Sequence, residues 1–189
     1  MPVTVSKRDA ILAAALVLFE ERTYAGCAMP LVAERAAVGA GTIYRYFASK
    51  EALANALYQR WKAEMAVYLF EAVSLEAEPR AAFAYLWRQL LAFAADHPQA
   101  LAFLETHQHA PYLDDDSRAA SAAIDAAAAA MVGRLQSTGA VRPAPPAELI
   151  ALVFGAFVGL TKAIDAGAVT FDDALISRTE HAVWHLLSA

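Results

Sequence analysis

The chain has 189 residues, of which 59% are hydrophobic, and a formal net charge of −5. Its single cysteine, Cys27, excludes an internal disulfide framework and fits a reducing cytosol. Residues 1–8 lack the apolar stretch of a signal peptide, and the longest apolar run, residues 149–160, is shorter than the ~20 apolar residues of a membrane span. We therefore expect a cytoplasmic protein with no membrane partner.

The charge is unevenly distributed along the chain. Residues 1–62 hold eight Lys or Arg and five Asp or Glu, whereas the remaining residues hold seven and fifteen. A net positive N-terminal segment on an acidic remainder suits a small head that faces DNA and a body that the duplex would repel.

Alanine-rich, proline-poor sequence predicts helix along nearly the whole chain. Ser6 and Asp9 form a capping-box-like start for the first helix, and turn signals at residues 23–26 and 37–39 interrupt the first third of the chain. The three short helices predicted there cover about residues 6–22, 28–36 and 40–47.

Longer helices follow, separated by prolines, glycines and aspartates. They are predicted at about residues 50–73, 79–96, 99–107, 117–137, 147–166 and 172–187. We therefore expect an all-α protein of about nine helices, with an N-terminal three-helix head over residues 1–48 and a helical body over residues 49–189.

The most informative stretch is residues 38–53, VGAGTIYRYFASKEAL. Ile43 and Phe47 are spaced to hold the third helix on a core. The polar, aromatic and basic side chains between and after them can meet phosphates and base edges. This pattern indicates a helix-turn-helix head that reads DNA.

The first fifty-five residues resemble the tetracycline-repressor (TetR) family of bacterial transcription regulators. The most specific match is the run from Gly41 through Phe47 to Leu53, which reads GTIYRYFASKEAL. The resemblance implies that Thr42 lies near the positive end of the third helix, that Arg45 reads guanine in the major groove and that Lys50 clamps the DNA backbone. The DNA-binding positions implied in this way are Cys27, Ala40, Gly41, Thr42, Tyr44, Arg45, Tyr46 and Lys50.

The head also departs from the family pattern. Cys27 stands near the position where the family usually has a Thr or Ser that caps the second helix and touches phosphate. Gly39 and Ala40 replace a Ser and a polar or basic residue, and Thr23 replaces the usual glycine of the first turn. These departures predict two or three fewer backbone contacts, and therefore DNA binding that is weaker or more dependent on Arg45.

Beyond the head, the resemblance implies an apolar effector pocket between helices of the body. The sequence leaves open which large side chains line a pocket and which belong to the core. The ligand-binding candidates are Trp61, Met65, Trp87, Leu91, Phe103, His107, Tyr112 and Phe154.

The eighth predicted helix is apolar on nearly all faces, and its small residues would let a partner helix approach closely. Together with the ninth helix it predicts a symmetric four-helix interface in a homodimer. The alternative is a central core helix in a monomer. The dimerisation candidates are Leu152, Gly155, Ala156, Gly159, Val183 and Trp184.

The sequence contains few signals for metal, cofactor or enzymatic chemistry. Glu105, His107, His109 and residues 114–116 form a polar cluster that matches no closed zinc pattern, and a capped loop with solvated carboxylates explains it better. A Gly-x-Gly at residues 39–41 follows a helix and lacks the third glycine of a dinucleotide loop. Because no nucleophile, base and orienting group fall in a recognisable arrangement, we expect neither an enzyme nor a bound metal or cofactor.

The expected function is therefore that of a ligand-responsive homodimeric repressor that reads a palindromic operator. Its effector would be a small apolar or amphipathic molecule. The alternative is a helical ligand- or partner-binding protein whose degenerate head no longer binds DNA, suggested by the substitutions at Cys27, Gly39 and Ala40.

Overall fold

The computed structural model describes residues 6–73 and 77–189. In these residues the chain forms nine helices and no extended strand. The helices are α1 (Lys7–Gly26), α2 (Met29–Arg35), α3 (Ala40–Tyr46), α4 (Lys50–Phe70), α5 (Pro79–Asp96), α6 (Pro98–His107), α7 (Asp115–Ser137), α8 (Pro146–Asp165) and α9 (Asp173–Leu187). The prediction of an all-α fold with about nine helices is confirmed, and most predicted ends lie within two or three residues of the observed ones.

The first helix differs from its prediction at the C-terminal end. Its start is as expected, because the Ser6 hydroxyl accepts a hydrogen bond from the Asp9 amide at 3.1 Å. The predicted turn over residues 23–26 is wrong in detail: the helix extends to Gly26, and the break is confined to Thr23, with φ 60° and ψ 163°. This conformation is close to one that only glycine adopts readily, so a β-branched residue there is strained.

The segment between α2 and α3 forms the turn of the helix-turn-helix. Ala37 adopts a positive φ of 53°, and the Val38 amide donates to the Ala33 carbonyl at 2.9 Å. Gly39 precedes α3, and its carbonyl accepts from the Thr42 amide at 2.8 Å. These backbone bonds end α2 and start α3 within a few residues, and they leave α3 with its polar side exposed.

The packing divides the chain into two compact units. The first unit contains residues 6–64 and 97–121, that is, α1 to α3, most of α4, α6 and the start of α7. In it, α1 packs against α2 and α6, and α2 packs against α3. The fully buried side chains of its core include Ile11, Leu12, Val32, Ile43, Leu53, Leu57 and Tyr58. The predicted functional division at residue 48 stays a prediction.

A buried polar network fixes the loop after α6 within the first unit. The Asn55 amide nitrogen donates to the carbonyls of Glu51 and Tyr112 at 2.9 and 2.8 Å. Its oxygen accepts from the Asp114 amide at 2.9 Å and from the Ser117 hydroxyl at 2.7 Å. Because the side chain is buried with both its donor and its acceptor paired, it adds order without leaving an unsatisfied polar group.

The second unit contains residues 65–73, 77–96 and 122–189. In it, α5 packs against both α8 and α9, which also contact each other. Asp172 caps α9 by accepting from the Leu175 amide at 2.6 Å. Phe83, Trp87, Leu91, Phe93, Phe157, Val183, Trp184 and Leu187 belong to its buried core.

Candidate nucleic-acid interface

The third helix has an apolar inner face and a polar outer face. Ile43 is fully buried and Phe47, directly after the helix, is also buried. Tyr44 and Tyr46 are 51% and 45% exposed, and Arg45 between them is exposed as well. Helical spacing turns Ile43 inward, so the residues that follow it in α3 stand outside, where a groove of DNA could receive them.

The exposed side chains of α3 make no bonds that would compete with DNA. Within the described residues, Tyr44, Arg45 and Tyr46 have no hydrogen bond or ion pair. By contrast, two other arginines of the first unit are paired: Arg35 with Glu21 at 2.6 Å and Arg60 with Asp9 at 2.8 Å. The Arg45 guanidinium, with five donors in a planar fork, is therefore available for a phosphate or a guanine edge.

Lys50 is engaged within its own chain. Its ammonium donates to the Tyr24 carbonyl at 2.9 Å and lies 4.4 Å from the centroid of the Tyr24 ring. The Tyr24 hydroxyl donates to Glu51 Oε1 at 3.1 Å. Burial, followed by this bond and the Glu51 charge, raises the pKa of Tyr24. The pKa of Glu51 is lowered by hydrogen bonds from its own amide, Ser49 and Tyr24, so the carboxylate stays charged beside Lys50.

The remaining predicted contacts differ in accessibility. Ala40 and Gly41 are exposed, and a Cβ at Gly41 would meet no described residue within 4 Å beyond its own neighbours and helix backbone, so the backbone there is accessible. Thr42 is half-buried. Cys27 is only 1% exposed, and burial raises the pKa of its thiol. The neutral thiol packs in the core, and the place of Cys27 in the DNA interface stays a prediction.

The second helix starts without a side-chain cap. Ala28 occupies the capping position and Pro30 lies in the first turn. Proline has no N–H and thus removes one of the donors that a cap would satisfy. Cys27 is buried and Ala28 has no polar side-chain group. At these two residues, a contact with DNA would therefore have to come from the backbone.

Four of the eight ligand-binding candidates lie in the first unit. Trp61 lines a cleft of about 170 Å³ that is walled by Leu12, Leu16 and Leu57 and edged by the polar groups of Arg60 and Gln99. Phe103, His107 and Tyr112 form a separate aromatic cluster. The His107 ring lies 4.4 Å from that of Phe103, and its Nδ1 shares a hydrogen bond with the Tyr112 hydroxyl.

The other four lie in the second unit. Met65 and Leu91 are buried. Trp87 is also buried, and its indole N–H donates to the Thr179 hydroxyl at 3.0 Å, which ties α5 to α9. Phe154 is 37% exposed and lies 5.8 Å from the Phe157 ring. Their assignment to an effector site stays a prediction.

The dimerisation candidates differ in burial: those of α8 are exposed or half-buried, and those of α9 are buried. Leu152, Gly155 and Gly159 lie on the exposed side of α8, and Ala156 is half-buried. Val183 and Trp184 are buried within the second unit, where the Trp184 ring lies 5.4 Å from that of Phe83. Contacts inside the same chain already cover these two side chains, and their place in a dimer interface stays a prediction.

The exposed side of α9 carries residues that the sequence prediction missed. Ala182 and Leu186 are exposed, with Leu186 at 48%, and they are spaced one helical turn apart. Their i, i+4 spacing could have indicated this face. With the exposed residues of α8 they define the α8/α9 face: Ala151, Leu152, Gly155, Gly159, Ala182 and Leu186.

By length and composition alone, the eighth helix is long and apolar enough to cross a membrane. Within the described residues, only 17% of the most apolar stretch of α8 is buried by the chain itself, so most of this helix is exposed in a single chain. One helix of this kind is weak evidence for membrane insertion. Its buried residues, Leu149, Phe157 and Thr161, pack inside a folded unit that also contains α5 and α9.

A short helix is held on a core by Ile43 and presents Tyr44, Arg45 and Tyr46, which have no hydrogen bond or ion pair with other described residues. This arrangement defines the class of protein: an all-α DNA-binding regulator with a helix-turn-helix head. The chain belongs to the TetR family of bacterial transcriptional regulators. Residues 11–57 match the family model described as bacterial regulatory proteins of the tetR family, and residues 58–189 match the tetracyclin repressor-like C-terminal domain. The family is one of transcription regulators rather than enzymes.

Known proteins similar to this chain agree with the assignment. The HTH-type transcriptional regulator RutR of Escherichia coli K12 is 29% identical over 194 residues, which cover 96% of this chain and 89% of that protein. Among solved structures, a TetR family transcription regulator from Marinobacter aquaeolei VT8 superposes with a TM-score of 0.87 at 19% identity, covering 96% and 95% of the two chains. A regulatory protein in the tetR family from Rhodococcus RHA1 gives 0.86 at 11%, covering 98% and 99%. The two structures show that the fold is shared.

Proposed function

We propose that this regulator is a cytoplasmic homodimeric repressor that reads a palindromic operator through α3 and releases it when a small effector binds. The observation that carries the DNA-reading part is the outer face of α3, where Tyr44, Arg45 and Tyr46 are exposed and unpaired beside a buried Ile43. Arg45 would read a base edge in the major groove, while the tyrosine hydroxyls would donate to phosphates. Lys50 would add a phosphate contact at the start of α4.

The experiment that tests DNA reading is selection of bound duplexes from a random-sequence pool. We expect enrichment of a palindrome whose half-sites lie about one helical turn, or a multiple of it, apart. Arg45→Ala is the comparison protein, and we expect it to retain duplexes with weaker sequence enrichment. A pool that shows no enrichment with the parent protein would favour the alternative, a ligand- or partner-binding protein with a degenerate head.

The homodimer is supported by the α8/α9 face. The two helices contact each other, and the face so defined exposes a large apolar side chain by about half on each of them, Leu152 on α8 and Leu186 on α9. Gly155 and Gly159 have no neighbouring atoms within 4 Å of an added Cβ, so a second pair of helices could approach the backbone closely. A symmetric four-helix interface would remove this apolar surface from water.

Light scattering after size exclusion tests the dimer directly. We expect twice the chain mass of 20.2 kDa. A concentration-independent mass of one chain would contradict the homodimer and, with it, the reading of a palindrome by two heads.

The effector is the third part of the proposal. The cleft beside Trp61 has apolar walls and two polar side chains at its edge, a composition that suits a small apolar or amphipathic molecule. Such a molecule releases DNA only if it binds the DNA-free conformation more tightly than the DNA-bound one. Titrating candidate ligands into the complex with the selected operator tests this: release must saturate, and the ligand must bind more weakly when DNA is present.

A further inference from the structure

Tyr24, near the C-terminal end of α1, contacts the first two residues of α4. Its carbonyl accepts the Lys50 ammonium at 2.9 Å, and its ring lies beneath that ammonium at 4.4 Å from the centroid. Its hydroxyl donates to Glu51 at 3.1 Å. Tyr24 thus contacts both charged side chains that begin α4, on the side of the head where the family signature continues from α3.

A second ring supports Tyr24 from the α6–α7 loop. Tyr112 stacks on Tyr24 with 4.2 Å between the ring centroids and 20° between the planes. The Tyr112 hydroxyl is hydrogen-bonded to His107 of α6, and the Tyr112 carbonyl accepts from the buried Asn55 amide at 2.8 Å. The ring that faces Lys50 is therefore fixed by groups on three elements: α4, α6 and the loop.

This arrangement has a consequence for a lysine that binds phosphate. A free lysine side chain samples many rotamers, and restricting it before DNA arrives lowers the entropy lost on binding. One of the three ammonium donors is used by the Tyr24 carbonyl, which leaves two for a phosphate oxygen. The neighbouring Glu51 carboxylate would repel a phosphate, and the bond from the Tyr24 hydroxyl holds that carboxylate in one position.

We propose that Tyr24 is the positioning residue of the phosphate clamp: through its carbonyl and ring, supported by Tyr112, it holds Lys50 in the orientation that meets DNA. Tyr24 itself does not touch the duplex. The proposal rests on the proposed function in one respect, which is that Lys50 contacts a phosphate. Because phosphate contacts are independent of base sequence, the test does not require the operator.

The experiment measures the affinity of the full chain for a mixed-sequence duplex of about 30 base pairs, long enough for two heads, by fluorescence anisotropy over a series of salt concentrations. Each phosphate contact contributes about 0.9 to the slope of log affinity against log salt, which is about eightfold in affinity per tenfold change in salt. The proteins are the parent, Lys50→Gln, Tyr24→Leu, the double variant, and Tyr24→Phe as the conservative control.

We expect Lys50→Gln to reduce the slope by about 0.9 for each bound head. Tyr24→Leu should reduce it by a similar amount, and the double variant should be no weaker than Lys50→Gln alone. Tyr24→Phe, which keeps the ring, should stay close to the parent; because every variant keeps the main-chain carbonyl, the Leu and Phe variants compare the ring alone. A merely structural role of Tyr24 would lower affinity without changing the slope, and its effect would add to that of Lys50→Gln.

The results distinguish failure of the phosphate contact by Lys50 from failure of the positioning role of Tyr24. If Lys50→Gln leaves the slope unchanged, Lys50 does not contact a phosphate, and the proposal that Tyr24 positions it for that contact is also wrong. If Lys50→Gln lowers the slope but Tyr24→Leu does not, or if the two effects add, the clamp stands and the positioning role is overturned. Should Tyr24→Leu fail to fold by circular dichroism, Tyr112→Leu takes its place: it must lower the slope in the parent and have no effect in the Lys50→Gln background.

Discussion

Replacing Thr23 with glycine should stabilise the protein, although glycine in or near a helix normally does the opposite. Thr23 holds φ 60° and ψ 163°, a conformation that costs a residue with a Cβ about 1–3 kcal/mol. Glycine relieves that strain but adds freedom to the unfolded chain, which offsets about 0.5–1 kcal/mol. The Thr23 side chain is exposed, so its removal uncovers little apolar surface.

The expected net effect is therefore an increase of about 1 kcal/mol in the free energy of unfolding, or about 2–4 °C in Tm for a chain of this size. Urea unfolding at fixed protein concentration, followed by circular dichroism, measures it as a higher midpoint with an unchanged slope. The matched control is Arg22→Gly, one residue earlier and exposed in the regular part of α1, which should lower stability by about 1 kcal/mol.

The opposite signs of these neighbouring substitutions are the test. If Thr23→Gly proves as stable as the parent or less stable, the strain at Thr23 is not present in solution. If Arg22→Gly is also stabilising, the gain does not come from the conformation of residue 23. Either result would refute the reasoning from the backbone angles.

Three further predictions concern DNA, assembly and pH. Arg45→Ala should lose about 1–3 kcal/mol of discrimination between the selected operator and mixed-sequence duplex, measured by anisotropy, and equal discrimination in parent and variant would contradict base reading. Leu152→Asp should shift the light-scattering mass toward one chain, whereas Val67→Asp, at a similarly exposed apolar residue, should not; a dimeric Leu152→Asp protein would place the interface elsewhere. Burial lowers the pKa of His107, so as the pH falls the imidazole is protonated in the unfolded chain before it is protonated in the folded chain. Stability should then fall as the pH drops below about 6.5, and His107→Gln should flatten that dependence in urea midpoints; an unchanged dependence would show that another group titrates.

The arrangement of α3 was accessible from sequence because it depends on local periodicity. Ile43 and Phe47 are four residues apart, so they share a face, and Tyr44, Arg45 and Tyr46 must then point elsewhere. The same holds for the helix ends at Ser6 and Asp172, where a side chain bonds to a backbone amide three residues later.

The two faces of α9 illustrate what periodicity does not resolve. Val183, Trp184 and Leu186 are all apolar, but the chain buries only Val183 and Trp184, and the Trp184 ring packs on Phe83 of α5. A helix with apolar residues on two sides does not specify which side its own chain covers. The sequence prediction therefore named Val183 and Trp184, which the chain itself buries, and did not name the exposed Leu186.

By itself, the sequence determined the helical class, the approximate ends of the helices and the reading face of α3, because these follow from interactions between residues a few positions apart. It also identified the TetR resemblance through the run from Gly41 to Leu53. Only the tertiary structure decided that the Cys27 thiol is buried, that Thr23 bears the strain of the α1 kink and that Lys50 rests on Tyr24. Tyr24 and Lys50 are 26 positions apart in the chain, and Tyr112 lies a further 62 positions beyond Lys50. Contacts over such separations depend on how helices pack in three dimensions, which no local pattern of residues encodes.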